Sequence, residues 1–135
     1  MELLLKNEFA EIPPAADAVE AYLADQGASP EILYFARLVI EELVSNTIKY
    51  GYDDQETHEI RIDSRVEEGV IIIEVSDDGH PFNPLEAPEP ATHLPVHERP
   101  IGGLGLHLVR RMSDGFEYRR SEQNNIVTVR KNYSL

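Results

Sequence analysis

The chain has 135 residues, 41% of them hydrophobic, enough for one domain with a sizeable core. Its 12 basic and 25 acidic residues give a formal net charge of −13, a surface that repels a phosphate backbone and argues against nucleic acid as a partner. Without cysteine there is no disulfide framework, no thiolate nucleophile and no cysteine-ligated zinc, and Leu3-Leu4-Leu5 is too short for a signal peptide or a membrane span.

A soluble, cytoplasmic domain is therefore expected, with no membrane contact and a surface that would attract a basic protein partner. In chain order, Glu2 to Phe9 reads as a short strand that Pro13-Pro14 closes. Ala15, Val19, Tyr22 and Leu23 fall on one face of a first helix, which Gly27 can end. Ser29-Pro30 opens a second helix, with serine as cap and proline where no N–H is needed. Ile32, Phe35, Ala36, Val39 and Leu43 recur along it at the spacing of a buried face, as far as Tyr50, and Gly51 ends it. At about 100° per residue, Asn46 falls inside that apolar stripe and Glu42 on its border, one turn earlier.

Ile60, Ile62, Ser64 and Val66 alternate with charged residues, as in a strand with one solvated face. Glu67-Glu68-Gly69 turns the chain into Val70 to Val75, the most strand-like run present, which stops at Ser76-Asp77-Asp78-Gly79. Residues 80 to 101 hold six of the nine prolines, so neither helix nor ladder runs far, and the segment reads as a lid. Gly102-Gly103-Leu104-Gly105 leads into a helix over Leu106 to Met112. Phe116 to Arg120 and Ile126 to Lys131 form a closing hairpin about the polar turn Glu122 to Asn125. This order predicts a single α+β domain over 1–135, a two-layer sandwich whose helices cover one face of a mainly antiparallel, mixed sheet.

Three segments carry chemistry. A buried Asn46 needs a partner, and for a lone asparagine a backbone carbonyl is the plainer one. Asp77, at the end of a buried strand, can accept a hydrogen bond from an exocyclic amine such as that of adenine, with Gly79 admitting a flat ring; a plain Asp-Gly turn is the simpler alternative. The glycines at 102, 103 and 105 free backbone N–H groups at a helix start, which favours a bound anion such as phosphate. They form neither the Walker pattern nor a dinucleotide fingerprint.

In this order and spacing the three segments resemble the GHKL (histidine-kinase-like) ATPase superfamily. Glu42-Leu-Val-Ser-Asn46 is similar to its N box, Asp77 to Phe82 to its first glycine box, and Gly102 to Leu106 to its second. The short chain, the Asn-x-x-x-x-Gly-Tyr run ending at Tyr52 and Gly-Gly-Leu-Gly-Leu resemble the bacterial anti-sigma-factor serine/threonine kinases, over roughly residues 10 to 132. The resemblance implies the Bergerat-type ATP-binding fold and ATP with Mg²⁺ as cofactors. It implies Asn46 as the metal ligand and Glu42 as the general base, or as the group that positions the attacking hydroxyl. Asp77 and Gly79 would take adenine, and Gly102, Gly103 and Gly105 the phosphates under the lid. Phe82, Leu104 and Leu106 belong to the same boxes.

The implied function is an ATP-dependent serine kinase that phosphorylates a small anti-anti-sigma partner and regulates a sigma factor by binding it, with a homodimer as the implied assembly. The alternative is an ATP-gated binding module with little or no turnover. Departures from the family pattern keep that alternative open: Tyr50 stands where His is usual, Pro81 where Gly is usual, and Asn124-Asn125 where a Gly-Thr pair opens the last strand. Asn125 can still reach the adenine side. Lys49 and His107 are the nearest cations to the glycines and the candidates for a phosphate contact. His93 and His97 have a metal-ligand spacing, with Glu98 adjacent, but sit among prolines without a third ligand; the Arg110-Arg111 and Arg119-Arg120 pairs read as surface charge.

Overall fold

A computed structural model describes residues 1–84 and 103–133, with the side chains of Gly103 and Leu104 left out. Strand β1 spans Glu2–Lys6, a 3₁₀ turn spans Phe9–Glu11, and helices α1 and α2 span Ile12–Asp25 and Pro30–Tyr50. The hairpin β2 (Glu59–Glu67) and β3 (Val70–Asp77) follows. Helix α3 (Gly103–Met112) then precedes β4 (Gly115–Ser121) and β5 (Asn124–Asn132).

Helix α2 starts as its sequence dictates: the Ser29 side chain accepts from Ile32 N–H at 3.4 Å, and Pro30 occupies the first turn. It ends at Gly51, whose N–H reaches Thr47 O at 2.8 Å. The pair Pro13-Pro14 has a role other than closing a strand. It lies in the first turn of α1, where missing N–H groups cost nothing, while β1 has already ended at Lys6. Likewise α3 reaches back over the glycine run to Gly103, so Gly105 lies inside its first turn.

The five strands are ordered β1-β2-β3-β5-β4, and every pairing is antiparallel, so the described sheet is not mixed. Two-residue turns set the register of both hairpins. Glu68 and Gly69 both take positive φ between Glu67 and Val70, as primed hairpin turns require. Glu122 and Gln123 link the paired Ser121 and Asn124, which moves Asn125 out of the expected turn and into β5, opposite Asp77.

The expected α+β sandwich is present. Alternate residues of the central strands (Ile60 and Ile62, Ile71, Ile73 and Val75, Val127 and Val129) join Val19, Leu23, Phe35, Val39, Ile40, Leu43 and Val44 from the helices in one core. The other sheet face carries polar pairs such as Thr128 to Glu74 at 3.2 Å and Arg130 to Glu117 at 2.8 Å, beside the buried Ile72. Arg37 of α2 ties the helices together through Asp17 and Glu20 of α1, at 2.7 and 3.0 Å. Among the described residues, no helix is long and apolar enough to cross a membrane.

Ile73 is fully buried at the middle of the central strand, so Ile73→Ala removes packing that neighbours on both layers cannot recover. We expect a loss of about 3 kcal/mol in a denaturant titration. A loss near zero would show that the core collapses around the site.

Candidate functional site

The site assembles where α2, the end of β3 and the start of β5 converge. Asp77 closes β3 between Ile60 of β2 and Asn125 of β5, and its carboxyl group is buried. One oxygen, Oδ1, accepts from Gly79 N–H at 2.9 Å and from Asn125 Nδ2 at 3.1 Å. The other, Oδ2, has among the described residues only the Thr47 hydroxyl, at 3.5 Å, the long limit for a hydrogen bond. Asp77 thus keeps one anchored oxygen and one with acceptor capacity to spare.

Asn125 is the hub of this network. Its Nδ2 also donates to His80 O at 2.8 Å, and its Oδ1 accepts from the Tyr118 hydroxyl at 2.6 Å and from Phe82 N–H at 3.2 Å. The loop after Asp77 is further pinned by Arg120, whose guanidinium donates to Gly79 O at 2.8 Å, and by His80 N–H to Gly51 O at 2.9 Å. Gly79 has to be glycine here, because a Cβ would fall on the Gly51 carbonyl.

Beside Asp77 lies a small cleft, with apolar walls from Leu43, Val75, Phe82, Pro84 and Val127 and polar groups from Asn46, Thr47, Asp77 and Asn125. Apolar walls with a few converging polar groups suit a flat, hydrogen-bonding ring. Asn46 is 7% exposed, in the buried stripe of α2, and among the described residues its side chain makes no hydrogen bond. One turn earlier, Glu42 is half-buried, and its Oε2 is shielded from solvent with no hydrogen-bond partner among the described residues. Burial raises the Glu42 pKa above the usual carboxylate range; Lys49 opposes the rise and Glu41 adds to it. Gly105 faces that carboxylate so closely that a Cβ would land on it.

The structure therefore gathers Asn46, Asp77, Gly79, Phe82 and Asn125 about one cleft, and Glu42, Lys49 and Gly105 at its α2–α3 side. Gly103 and Gly105 fall in the first turn of α3, where backbone N–H groups lack helical partners. Leu106 packs its side chain into the core. Gly102, the lid beyond residue 84, and His93, His97 and Glu98 lie outside the described residues, as does the side chain of Leu104. Mg²⁺ fits the donor at Asn46, an amide oxygen on the buried face of α2 and a hard ligand, with the Glu42 carboxylate one helical turn away.

Three residues of this network are not legible from motif spacing: Thr47, Tyr118 and Arg120. Arg120 in particular is not merely surface charge. The usable signal is register: a two-residue turn at Glu122-Gln123 puts Arg120 opposite Asn125, hence beside the loop after Asp77.

Comparison with known proteins gives the same picture. The family model described as the histidine kinase-like ATPase domain matches residues 5–131. Serine-protein kinase RsbW of Listeria innocua is 26% identical over 113 residues, covering 77% of this chain and 69% of that protein. An anti-sigma F factor of Clostridium beijerinckii is 26% identical over 121 residues, covering 87% and 83% respectively. Among solved structures, the Acinetobacter baumannii histidine kinase AdeS aligns with all of this chain and 68% of its own, with a TM-score of 0.53 at 17% identity, a likeness of fold. The resemblance read from the three motifs is borne out: the chain belongs to the histidine kinase-like ATPase domain family.

Proposed function

We propose that this protein is an ATP-dependent serine kinase of the anti-sigma-factor type, acting on a small anti-anti-sigma partner and regulating a sigma factor by binding it. The observation that carries the reading is Asp77: a buried carboxylate with one oxygen anchored and the other facing an apolar cleft, as an adenine amine requires. The names of the relatives support the partner class.

In this reading adenine enters between Leu43, Val75 and Val127 and donates from its amine to Asp77 Oδ2. The triphosphate runs toward the first turn of α3, where the N–H groups of Gly103 and Gly105 receive it. Lys49 supplies positive charge nearby, and His107 on α3 is a second candidate for a phosphate contact. Asn46 would hold Mg²⁺, which neutralises phosphate charge when bound. Glu42 takes the proton of the serine hydroxyl as that oxygen bonds the γ-phosphorus and the bond to the leaving ADP oxygen breaks. A base needs a pKa near working pH, and burial moves Glu42 in that direction.

The test is calorimetric titration of Mg-ATP into the wild-type protein, followed by transfer of labelled γ-phosphate to an anti-anti-sigma protein from the same genome. Saturable one-site binding and a phosphoserine on the partner are expected. No binding would overturn the nucleotide reading. Binding without any phosphoprotein, with partner capture following nucleotide state, would replace the kinase by an ATP-gated binding module.

A further inference from the structure

Next to the cleft, outside the residues assigned above, a histidine joins two segments that the nucleotide reading needs fixed. His58 ends the connection between α2 and β2. Its Nε2 lies 2.7 Å from Asp54 Oδ1, and its Nδ1 lies 3.1 and 3.3 Å from the two oxygens of Asp78. A neutral imidazole has one N–H and could satisfy only one of these carboxylates, so the arrangement is that of the imidazolium. The ring is stacked on Tyr52 with centroids 4.3 Å apart, and the side chain is only 17% exposed. From the β1 side, Asn7 fixes the backbone: its Oδ1 accepts from His58 N–H at 2.9 Å, and its N–H donates to His58 O at 3.0 Å.

The charged groups around the ring are Asp54 and Glu56 from its own segment and Asp78 from the loop after β3; no cation faces it among the described residues. A second histidine, His80, lies at the same junction, with Nδ1 3.1 Å from Asp53 Oδ1.

We propose that His58 is a positioning residue for nucleotide binding: as an imidazolium it pins Asp78, and with it the Asp77–Gly79 turn, to the segment 51–58, so that affinity for the nucleotide falls as His58 loses its proton. The proposal rests on the nucleotide-binding reading. Asp78 adjoins Asp77, and the turn between them and Gly79 passes against Gly51, so freeing Asp78 loosens the acceptor that faces the cleft. Losing the proton also leaves Asp54 and Asp78 without a counter-charge beside a ligand that is itself an anion.

The direction follows from the environment. The hydrogen bond to Asp54 raises the His58 pKa above its ordinary value; partial burial opposes it, and Asp78 raises it again. A pKa that is higher folded than unfolded contributes stability that is complete below the unfolded value and lost as pH rises through the folded one. The Asp54–His58–Asp78 contact is therefore complete on the acid side and lost as pH rises through the folded His58 value, and the proposal has nucleotide affinity fall with that contact.

The experiment measures ADP affinity by calorimetry between about pH 6 and pH 9 for wild type, His58→Gln and Asp78→Asn. The phosphates of ADP titrate alike in all three, so ratios to His58→Gln isolate the histidine. Wild type is expected to lose roughly threefold more affinity across the range than His58→Gln, with Asp78→Asn flattened in the same way. Parallel profiles for wild type and His58→Gln would overturn the proposal.

A ligand-free readout separates this from the underlying reading. In NMR titrations the Gly79 amide should move with the His58 ring in wild type and not in Asp78→Asn. A Gly79 amide indifferent to His58 would overturn the coupling. Gly79 following His58 while ADP binds at no pH would support the coupling and overturn the nucleotide reading.

Discussion

Asp77→Asn is expected to lower ATP affinity by about 100-fold or more while leaving the fold intact. The reason lies in which atoms hold the carboxylate. Gly79 N–H and Asn125 Nδ2 both donate to Oδ1, so an amide at position 77 has to turn its oxygen toward them. Its NH₂ then takes the place of Oδ2 and presents a donor to the cleft. An adenine amine, itself a donor, meets a second donor where it had met a carboxylate. The anchoring bonds survive, so the thermal melt should shift little. Calorimetry of Mg-ATP on both proteins decides the matter: unchanged affinity in the variant would remove Asp77 from base recognition, and a collapsed melt would point to a structural role instead.

The second large effect is on turnover. Glu42→Gln should keep nucleotide affinity within a few-fold and lower phosphoryl transfer by about 10²- to 10⁴-fold. Glutamine keeps the shape beside Gly105 but cannot take a proton, and Gly105 leaves no room for a larger group. The pH profile provides a further check. Burial disfavours the Glu42 carboxylate, so its pKa is raised and the active, deprotonated form accumulates as pH climbs through that value. Wild-type transfer should therefore rise on the acid side along a limb that the variant lacks. An unchanged rate in Glu42→Gln would dismiss Glu42 as the base.

The two predictions separate binding from chemistry, as their places in the fold do. Asp77 sits at the end of a central strand, rigid because β2 and β5 flank it. Glu42 sits at the α2–α3 side, next to the first turn of a helix that follows the proline-rich segment.

Local chemistry was enough to determine several features of this protein. The periodicity of α2, its Ser-Pro start and Gly51 stop, and the runs Val70 to Val75 and Ile60 to Val66 name the elements, because each is governed by residues within one or two turns of one another. The burial of Asn46 in an apolar stripe was likewise readable from helical spacing alone. The order of the three motifs identified the family.

Tertiary structure decided everything that depends on register and close approach. Asn125 reads as a turn residue, yet it lies in β5 opposite Asp77, because the hairpin turns over two residues and not four. Arg120 reads as surface charge, yet that same register hands it the Gly79 carbonyl. The contacts of Gly51 with Gly79, and of Glu42 with Gly105, join elements that only the packed sheet and helices bring within reach. His58 has no motif around it at all; its role comes from Asp78, twenty residues on, which the β2–β3 hairpin folds back against it. Local pattern specifies which residues are buried and in what element, whereas a binding site is made of pairs distant in sequence, and those are set by strand register and layer packing.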